Sequence, residues 1–319
     1  MKFTVVTHRV FMATAFVALA GAAHAQPNQL TIVSGSPGGS WYPIAAGMSA
    51  IFGREGIRSN AETGAGVTNM IQVSMGQAEL GVTTSTIPPM AEAGEAPFEQ
   101  TLDNNRALAT LFPNAMHIAV TDDSGIATLD DLVGMRINTT AVGNSTQQAF
   151  VDVLTAAGIE ESEVETSRGS QNFAADAVKD GSLDGLVLLS AYPNGTYTEL
   201  FSSVDMNLLS LDEEILAALG EANPGYSPST IPAGTYPGQD DDVATARSDL
   251  ILFANQDMSD EDAHWIVSTL LNHMDELQGI HAIMSDLTPD TMANVQGMPL
   301  HPGALEAYSA AGIAIPDAD

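Results

Sequence analysis

The 319-residue chain is 45% apolar and 6% aromatic, with 28 Gly, 16 Pro and no Cys, the profile of a folded protein built as one large domain or two ordinary ones. Nine Lys+Arg against 40 Asp+Glu give a formal charge of −31, which repels polyphosphate backbones and anionic lipid surfaces alike, so nucleic-acid and polybasic membrane binding are excluded. Without cysteine there is no disulfide framework, thiolate nucleophile, zinc-thiolate cluster or lipid-modified N-terminal cysteine.

Lys2 and Arg9 precede an apolar run from Val10 to Ala20, and Ala23-His24-Ala25 follows as small-x-small before Gln26-Pro27. Residues 1–25 therefore read as a secretory signal peptide cleaved near Ala25, because the run is shorter than the roughly 20 residues of a membrane span. Removing it leaves seven Lys+Arg against 40 Asp+Glu, a formal −33, with Lys179 the one remaining lysine. An exported, periplasmic location is expected. So acidic a chain is also expected to gain stability from salt, which screens repulsion between its carboxylates.

Leu30 to Ser34 is a short β-rich run ending in the glycine loop Gly35-Ser36-Pro37-Gly38-Gly39-Ser40, after which Ile44, Met48, Ile51 and Phe52 recur at helical spacing. Val67, Met70, Ile71, Ser74 and Met75 trace a second helix, and Glu79 to Thr84 a further strand. This β-α-β-α-β order predicts a parallel sheet whose strand ends and loops line one edge. Arg106–Phe112 and Ala115–Thr121 read as two adjacent extended runs, and Thr128 to Asp131 as a helix capping box with Asp in place of Glu. Then come a strand at Met135–Thr139, a loop Gly143-Asn144-Ser145-Thr146, a helix Gln147–Ala157 closed by Gly158, strands at Val164–Arg168 and Leu186–Leu189, and a helix Phe173–Lys179. A polar helix and a Pro/Gly tract through Gly238 precede a strand at Asp249–Ala254. Ser259 caps a helix reaching about His273, and His301-Pro302 opens a short final one.

Glycines after a strand let the backbone approach a ligand, and the free N–H groups of the next helical turn suit a carboxylate or phosphate. Two such loops occur, Ser36 to Tyr42 and Gly143 to Thr146, and Thr84-Ser85-Thr86 ends another strand. Either glycine loop alone is equally well explained as a tight turn. Trp41, Tyr42, Tyr192 and Tyr226 fall in or beside loops, placed either to wall a pocket or to cover the sheet edge. There is no P-loop, dinucleotide fingerprint, Gly-x-Ser-x-Gly elbow or His-Glu-x-x-His helix. His264 and His273, nine apart, point about 180° away from one another on one helix. Asp240-Asp241-Asp242 lacks the EF-hand pattern and reads first as a solvated acidic loop. No catalytic residue, metal or cofactor is assigned.

Five motifs in order then carry a resemblance over nearly the whole chain: Gly35 to Pro43, Glu62-Thr63-Gly64-Ala65-Gly66-Val67-Thr68-Asn69, Gly76 to Gly81, Ser227 to Gln239, and Pro299 to Ala304. The chain resembles the TAXI group of solute receptors, the extracytoplasmic binding proteins of tripartite ATP-independent periplasmic (TRAP) transporters. The resemblance implies an α/β fold of the type II periplasmic-binding-protein kind, two α/β lobes joined by a hinge. Lobe 1 would be discontinuous, 26–115 and 236–319, and lobe 2 would span 116–235. It further implies a non-enzymatic receptor that closes on a small carboxylate (2-oxoglutarate, a C4 diacid or a glutamate-like solute) and delivers it to TRAP membrane permease subunits. Ligand-binding positions carried over, together with the loop aromatics above, are Ser36, Gly38, Gly39, Ser40, Trp41, Tyr42, Thr84, Ser85, Asn144, Ser145, Thr146, Tyr192 and Tyr226. Thr84-Ser85-Thr86 departs from a Gln-Ser-Asp common at that strand end. Without that carboxylate an α-ammonium group lacks its partner, which favours a plain or keto acid over an amino acid. An exported α/β enzyme acting on a small acid, or a sensor-linked binding protein, are the rival readings.

Overall fold

The computed structural model describes Met1, residues 29–36 and residues 39–316; the expected signal segment beyond Met1, and Pro37 and Gly38 of the first loop, lie outside the described residues. In chain order the elements are β1 (Gln29–Val33), α1 (Trp41–Arg54), β2 (Arg58–Glu62), α2 (Gly66–Ser74), β3 (Leu80–Thr84), α3 (Ile87–Ala93) and β4 (Asn105–Thr121). There follow β5 (Arg136–Asn138), α4 (Ser145–Ala156), β6 (Glu165–Ser167), α5 (Gln171–Lys179), β7 (Gly185–Ser190), α6 (Gly195–Ser203), β8 (Met206–Leu208), α7 (Glu213–Ala222) and β9 (Ser227–Ile231). The chain ends with β10 (Val243–Asn255), α8 (Asp260–Asn272), α9 (Met274–Gly279), α10 (Pro289–Ala293) and α11 (Pro302–Ala310). The fold is α/β.

One sheet runs in the order β2-β1-β3-β10-β4-β7-β5-β6, with β8 on β4 and β9 on β10. The β1 strand pairs in parallel with β2 and β3, and β5 does so with β6 and β7, as βαβ units require. The long strands β4 and β10 join these two parallel groups, paired with each other antiparallel from Asn105↔Asn255 to Ala115↔Arg247. What reads in the sequence as two extended runs, 106–112 and 115–121, is thus a single strand. Pro113 interrupts the apolar pattern but not the strand, because it is exposed and a missing N–H there costs no ladder bond to β7, which pairs only from Ala115 onward.

Alternation along the strands buries both faces. In β10, Leu250 and Leu252 join a core with Leu30, Ile32, Ile44, Met48, Ile266 and Tyr308, while Ile251 and Phe253 face a core with Val33, Val67, Met70 and Ile87. In β7, Val187 and Leu189 pack with Ile137, Phe150 and Leu154, whereas Leu186 and Leu188 pack with Ala174, Tyr197 and Tyr236. Each half of the sheet therefore has helices on both sides. Tyr236 and Val243 lie in the second-half core, so the chain returns to the first half within β10 near Ser248, later than the boundary expected between 235 and 236. The helices after β10 pack on the first half, where the buried Tyr308 phenol donates to Leu108 O (2.9 Å) and Met292 O (3.1 Å).

Only half of the capping box expected at Thr128 forms: the backbone N–H and hydroxyl of Thr128 both donate to Asp131 Oδ2 at 2.9 Å, but no side-chain cap bond is made in return and Leu129 is the N-cap. It opens only a 3₁₀ turn, Asp130–Leu132, because the chain leaves helical geometry at Val133 and Gly134 follows with φ 76°.

Candidate functional site

A cavity of about 380 Å³ lies between the two halves, within the range of small-molecule sites. Its walls are the starts of five helices. Ser40 before α1, Ala65 before α2, Asn144 before α4, Ser170 before α5 and Asn194 before α6 are all N-cap residues, and all five line the cavity. Each helix start presents N–H groups without intrahelical partners and the positive end of the helix dipole. The βαβ order places them together, since each of these helices begins at the edge where strands of its half end.

Local chemistry builds each wall. Asn144 Oδ1 accepts from Thr146 N (2.9 Å), Ser170 Oγ from Phe173 N (3.3 Å) and Asn194 Oδ1 from Thr196 N (3.0 Å), which fixes the start of α4, α5 and α6. Thr146 Oγ1 accepts from Leu189 N at 3.1 Å and ties α4 to the end of β7. In the first half, Asn69 Nδ2 donates to Ser34 O and Val82 O, both at 2.7 Å, and its Oδ1 accepts from Ala65 N at 3.2 Å, so one buried amide joins the ends of β1 and β3 to the loop before α2. At Gly66 the halves approach closely: a Cβ there would stand 2.4 Å from Ser145 Oγ across the junction and 3.2 Å from Thr83 Oγ1.

Arg168 is the one charged residue in the lining, and no carboxylate belongs to it. Its Nη2 donates to Glu161 Oε1 at 2.9 Å, and Gln147 Nε2 donates to the same oxygen at 3.3 Å. Several buried polar atoms of the lining have no hydrogen-bond partner among the described residues: Ser145 Oγ, Thr140 Oγ1 and both amide atoms of Asn114. Thr140 also has φ 65°, the one non-glycine residue in that region among the described residues. Unsatisfied buried groups and backbone strain in one place mark a site shaped for a ligand rather than for stability alone.

Of the positions expected from sequence, the cavity gathers Ser36, Gly39, Ser40, Trp41, Asn144, Ser145 and Thr146. Gly38 lies outside the described residues. Thr84 and Ser85 do not reach the cavity, because the interior uses them: Ser85 Oγ donates to Gly225 O (2.6 Å) and accepts from Asp249 N (2.9 Å), and Thr84 Oγ1 meets Thr86 Oγ1 at 3.2 Å. A Cβ on Gly225 would stand 2.2 Å from Ser85 O, so this is a tight backbone crossing. Tyr226 is buried and donates to Asp152 Oδ2 at 2.7 Å, about two turns along α4 from the helix start that lines the cavity. Burial raises the Asp152 carboxyl above its ordinary value, and the bonds from Tyr226 and Gln148 partly offset this. Tyr192 donates to Thr230 O (3.1 Å), and Tyr42 sits on the first turn of α1; neither lines the cavity.

Sequence reasoning missed Asn114, Thr140, Arg168, Gln171, Asn194 and the Gly64–Gly66 turn as lining residues. The polar run Asn138-Thr139-Thr140 at a strand end and the cap Ser170 carried a signal; Asn114, in mid-strand, carried none. Among the described residues no group of three or more His, Asp or Glu is placed to hold a metal ion, and no helix is long and apolar enough to cross a membrane. Asp242 Oδ1 instead accepts from Ala233 N at 2.8 Å.

Solved structures share this architecture. A Xanthomonas citri protein solved bound to ATP is 12% identical, with 89% of this chain and 95% of that one covered at a TM-score of 0.54. A Bordetella bronchiseptica protein is 18% identical, with 92% and 91% covered at 0.52. A putative L-cystine ABC transporter protein of Listeria monocytogenes is 11% identical, with 80% and 94% covered at 0.50. At such identities the likeness concerns the fold. The NMT1-like family model matches residues 32–312, and the chain belongs to the NMT1-like family.

Proposed function

We propose that the protein is an exported solute receptor that holds a small carboxylate between its two halves and hands it to a membrane permease, performing no reaction itself. The observation that carries this reading is the convergence of five helix starts and Arg168 on a cavity without a single carboxylate, inside a chain of formal charge −31. Such a lining concentrates donors and partial positive charge where the rest of the molecule repels anions. It offers nothing to balance an ammonium group, which favours a plain acid such as 2-oxoglutarate or a C4 diacid over glutamate. The motif resemblance makes the permease partner of the TRAP kind and the receptor a TAXI member, with the periplasm as its location. The solved neighbours share the α/β fold, and one of them, a putative L-cystine ABC transporter protein, supports a role in solute uptake without choosing between transporter classes.

Mass spectrometry of the ligand released from freshly purified protein, followed by calorimetry with that compound, tests the reading. A carboxylate whose binding is lost in Arg168→Gln supports it. Binding of cations or neutral solutes alone, or turnover of the bound acid, overturns it.

A further inference from the structure

Asn114 sits in β4 where that strand passes from one half of the sheet to the other, opposite Ser248 of β10. It is 0% exposed and lines the cavity, yet neither its Nδ2 nor its Oδ1 has a hydrogen-bond partner among the described residues. Two hydroxyls of the same lining, Ser145 Oγ (residue 3% exposed) and Thr140 Oγ1 (9%), are likewise buried and unpartnered. An unpaired buried amide is costly on both its donor and its acceptor side. A partner matching Asn114 must therefore accept from Nδ2 and donate to Oδ1. A carboxylate or a keto oxygen only accepts, and an ammonium group only donates; an alcohol hydroxyl does both.

We infer that the cavity has a second recognition point, Asn114 with Thr140 and Ser145, that reads a hydroxyl group on the solute, so that the preferred ligand is a hydroxy acid. The inference rests on the receptor reading above and specifies its solute. The acid end is held by the helix starts and Arg168, and the neutral hydroxyl lies against the strand that joins the halves. Thr140 holds its strained backbone through its amide, which donates to Asn138 Oδ1 at 3.2 Å, leaving its own hydroxyl for the ligand.

Calorimetry on the wild-type protein with matched sets distinguishes the outcomes: succinate, both enantiomers of malate and oxaloacetate; glutarate, both enantiomers of 2-hydroxyglutarate and 2-oxoglutarate; then propionate, both enantiomers of lactate and pyruvate. One hydroxy acid of a set is expected to bind about tenfold or more tightly than its deoxy and keto counterparts. Asn114→Leu, close in size, is expected to abolish that preference while deoxy-acid binding persists; Thr140→Val gives a second reading if the first variant does not fold. Equal affinity across each set, or a preference that survives in both variants, refutes the inference and leaves the receptor reading standing. Absence of binding by every acid, in protein freed of bound ligand by unfolding and refolding, removes the receptor reading and the inference with it.

Discussion

Lowering the pH from 7.5 to 4.5 forces a choice on His117, which is fully buried in β4 between the rings of Tyr197 and Tyr236. Its Nδ1 lies 2.9 Å from Ala115 O and must carry a proton, so the neutral ring accepts at Nε2 from the Tyr236 hydroxyl, also at 2.9 Å. That phenol already accepts from Asn194 N at 3.0 Å. Protonating Nε2 would turn the phenol into a double acceptor and strand its own proton in the core. Burial accordingly pushes the imidazole down from 6.5 to about 4. Between these values the unfolded chain binds a proton that the folded one refuses, so this contribution to stability is complete above pH 6.5 and is lost as the pH falls toward 4. The difference amounts to about 3 kcal/mol over the whole window, most of it spent by pH 4.5. Urea unfolding of wild type and His117→Gln at pH 7.5, 6.5, 5.5 and 4.5 isolates it from the other groups: the stability gap between the two proteins should shrink by about 2 to 3 kcal/mol across the series. Parallel pH profiles would show that His117 is not the neutral core residue described, and the geometric argument would fail.

Asp184 takes the side chain of Arg136 through Nη2 (2.5 Å) and Nε (3.0 Å) as well as its backbone N–H (2.8 Å), and the arginine holds its carboxyl below the usual range. Asp184→Asn should therefore lower stability by about 1 kcal/mol at pH 7, after allowance for solvent screening, and by progressively less as acid below pH 4 protonates the wild-type carboxylate. Gly66→Ala has no left-handed backbone to oppose it, but its methyl would sit against Ser145 Oγ; affinity for the co-purified ligand should fall roughly 5- to 100-fold, and adding Gly66→Ala to Ser145→Gly should cost far less than it does in the wild-type background, whereas undiminished binding in the single variant would mean that the halves do not meet there in the bound state. Ser145→Ala and Thr146→Val should separate: the first weakens binding with little change in melting temperature, the second also destabilises because Leu189 N loses its acceptor. Raising NaCl from 0.05 to about 1 M should raise the melting temperature, since the formal charge is −31; no gain would remove the screening argument.

Much of the architecture was legible because it is written in short-range code. The strand, glycine loop and helix at residues 29–54 follow from β-rich residues, Gly35 and Ser40, and a helical apolar stripe, and the same signals locate α4 and its cap Asn144. The fused β4 was not legible, since Pro113 and Asn114 look like a break until the pairing with β10 shows where the missing N–H falls. Site residues divide in the same way. Caps announce themselves by residue type, which is why Ser40, Asn144, Ser145 and Thr146 were expected and do line the cavity. A hydroxyl at a strand end, as at Thr84 and Ser85, is chemically identical whether it meets a ligand or the interior. Here the crossing of Gly225 over Ser85 O decides it, and that contact spans 140 residues of sequence. Tyr226 likewise stands beside a loop but finds its partner, Asp152, inside the second half.

The paired spine of β4 and β10 limits how this molecule can change over generations. Facing alternates at every step, so adding or deleting one residue in β10 would turn Leu250 and Leu252 into the core that Ile251 and Phe253 now fill, and would reverse the first half's packing at a stroke. A length change costs least in the connections that end at the cavity, where a residue gained or lost shifts a helix cap and leaves the ladder untouched. The lining of the cavity is adjustable in such a design; the backbone between the two halves is not.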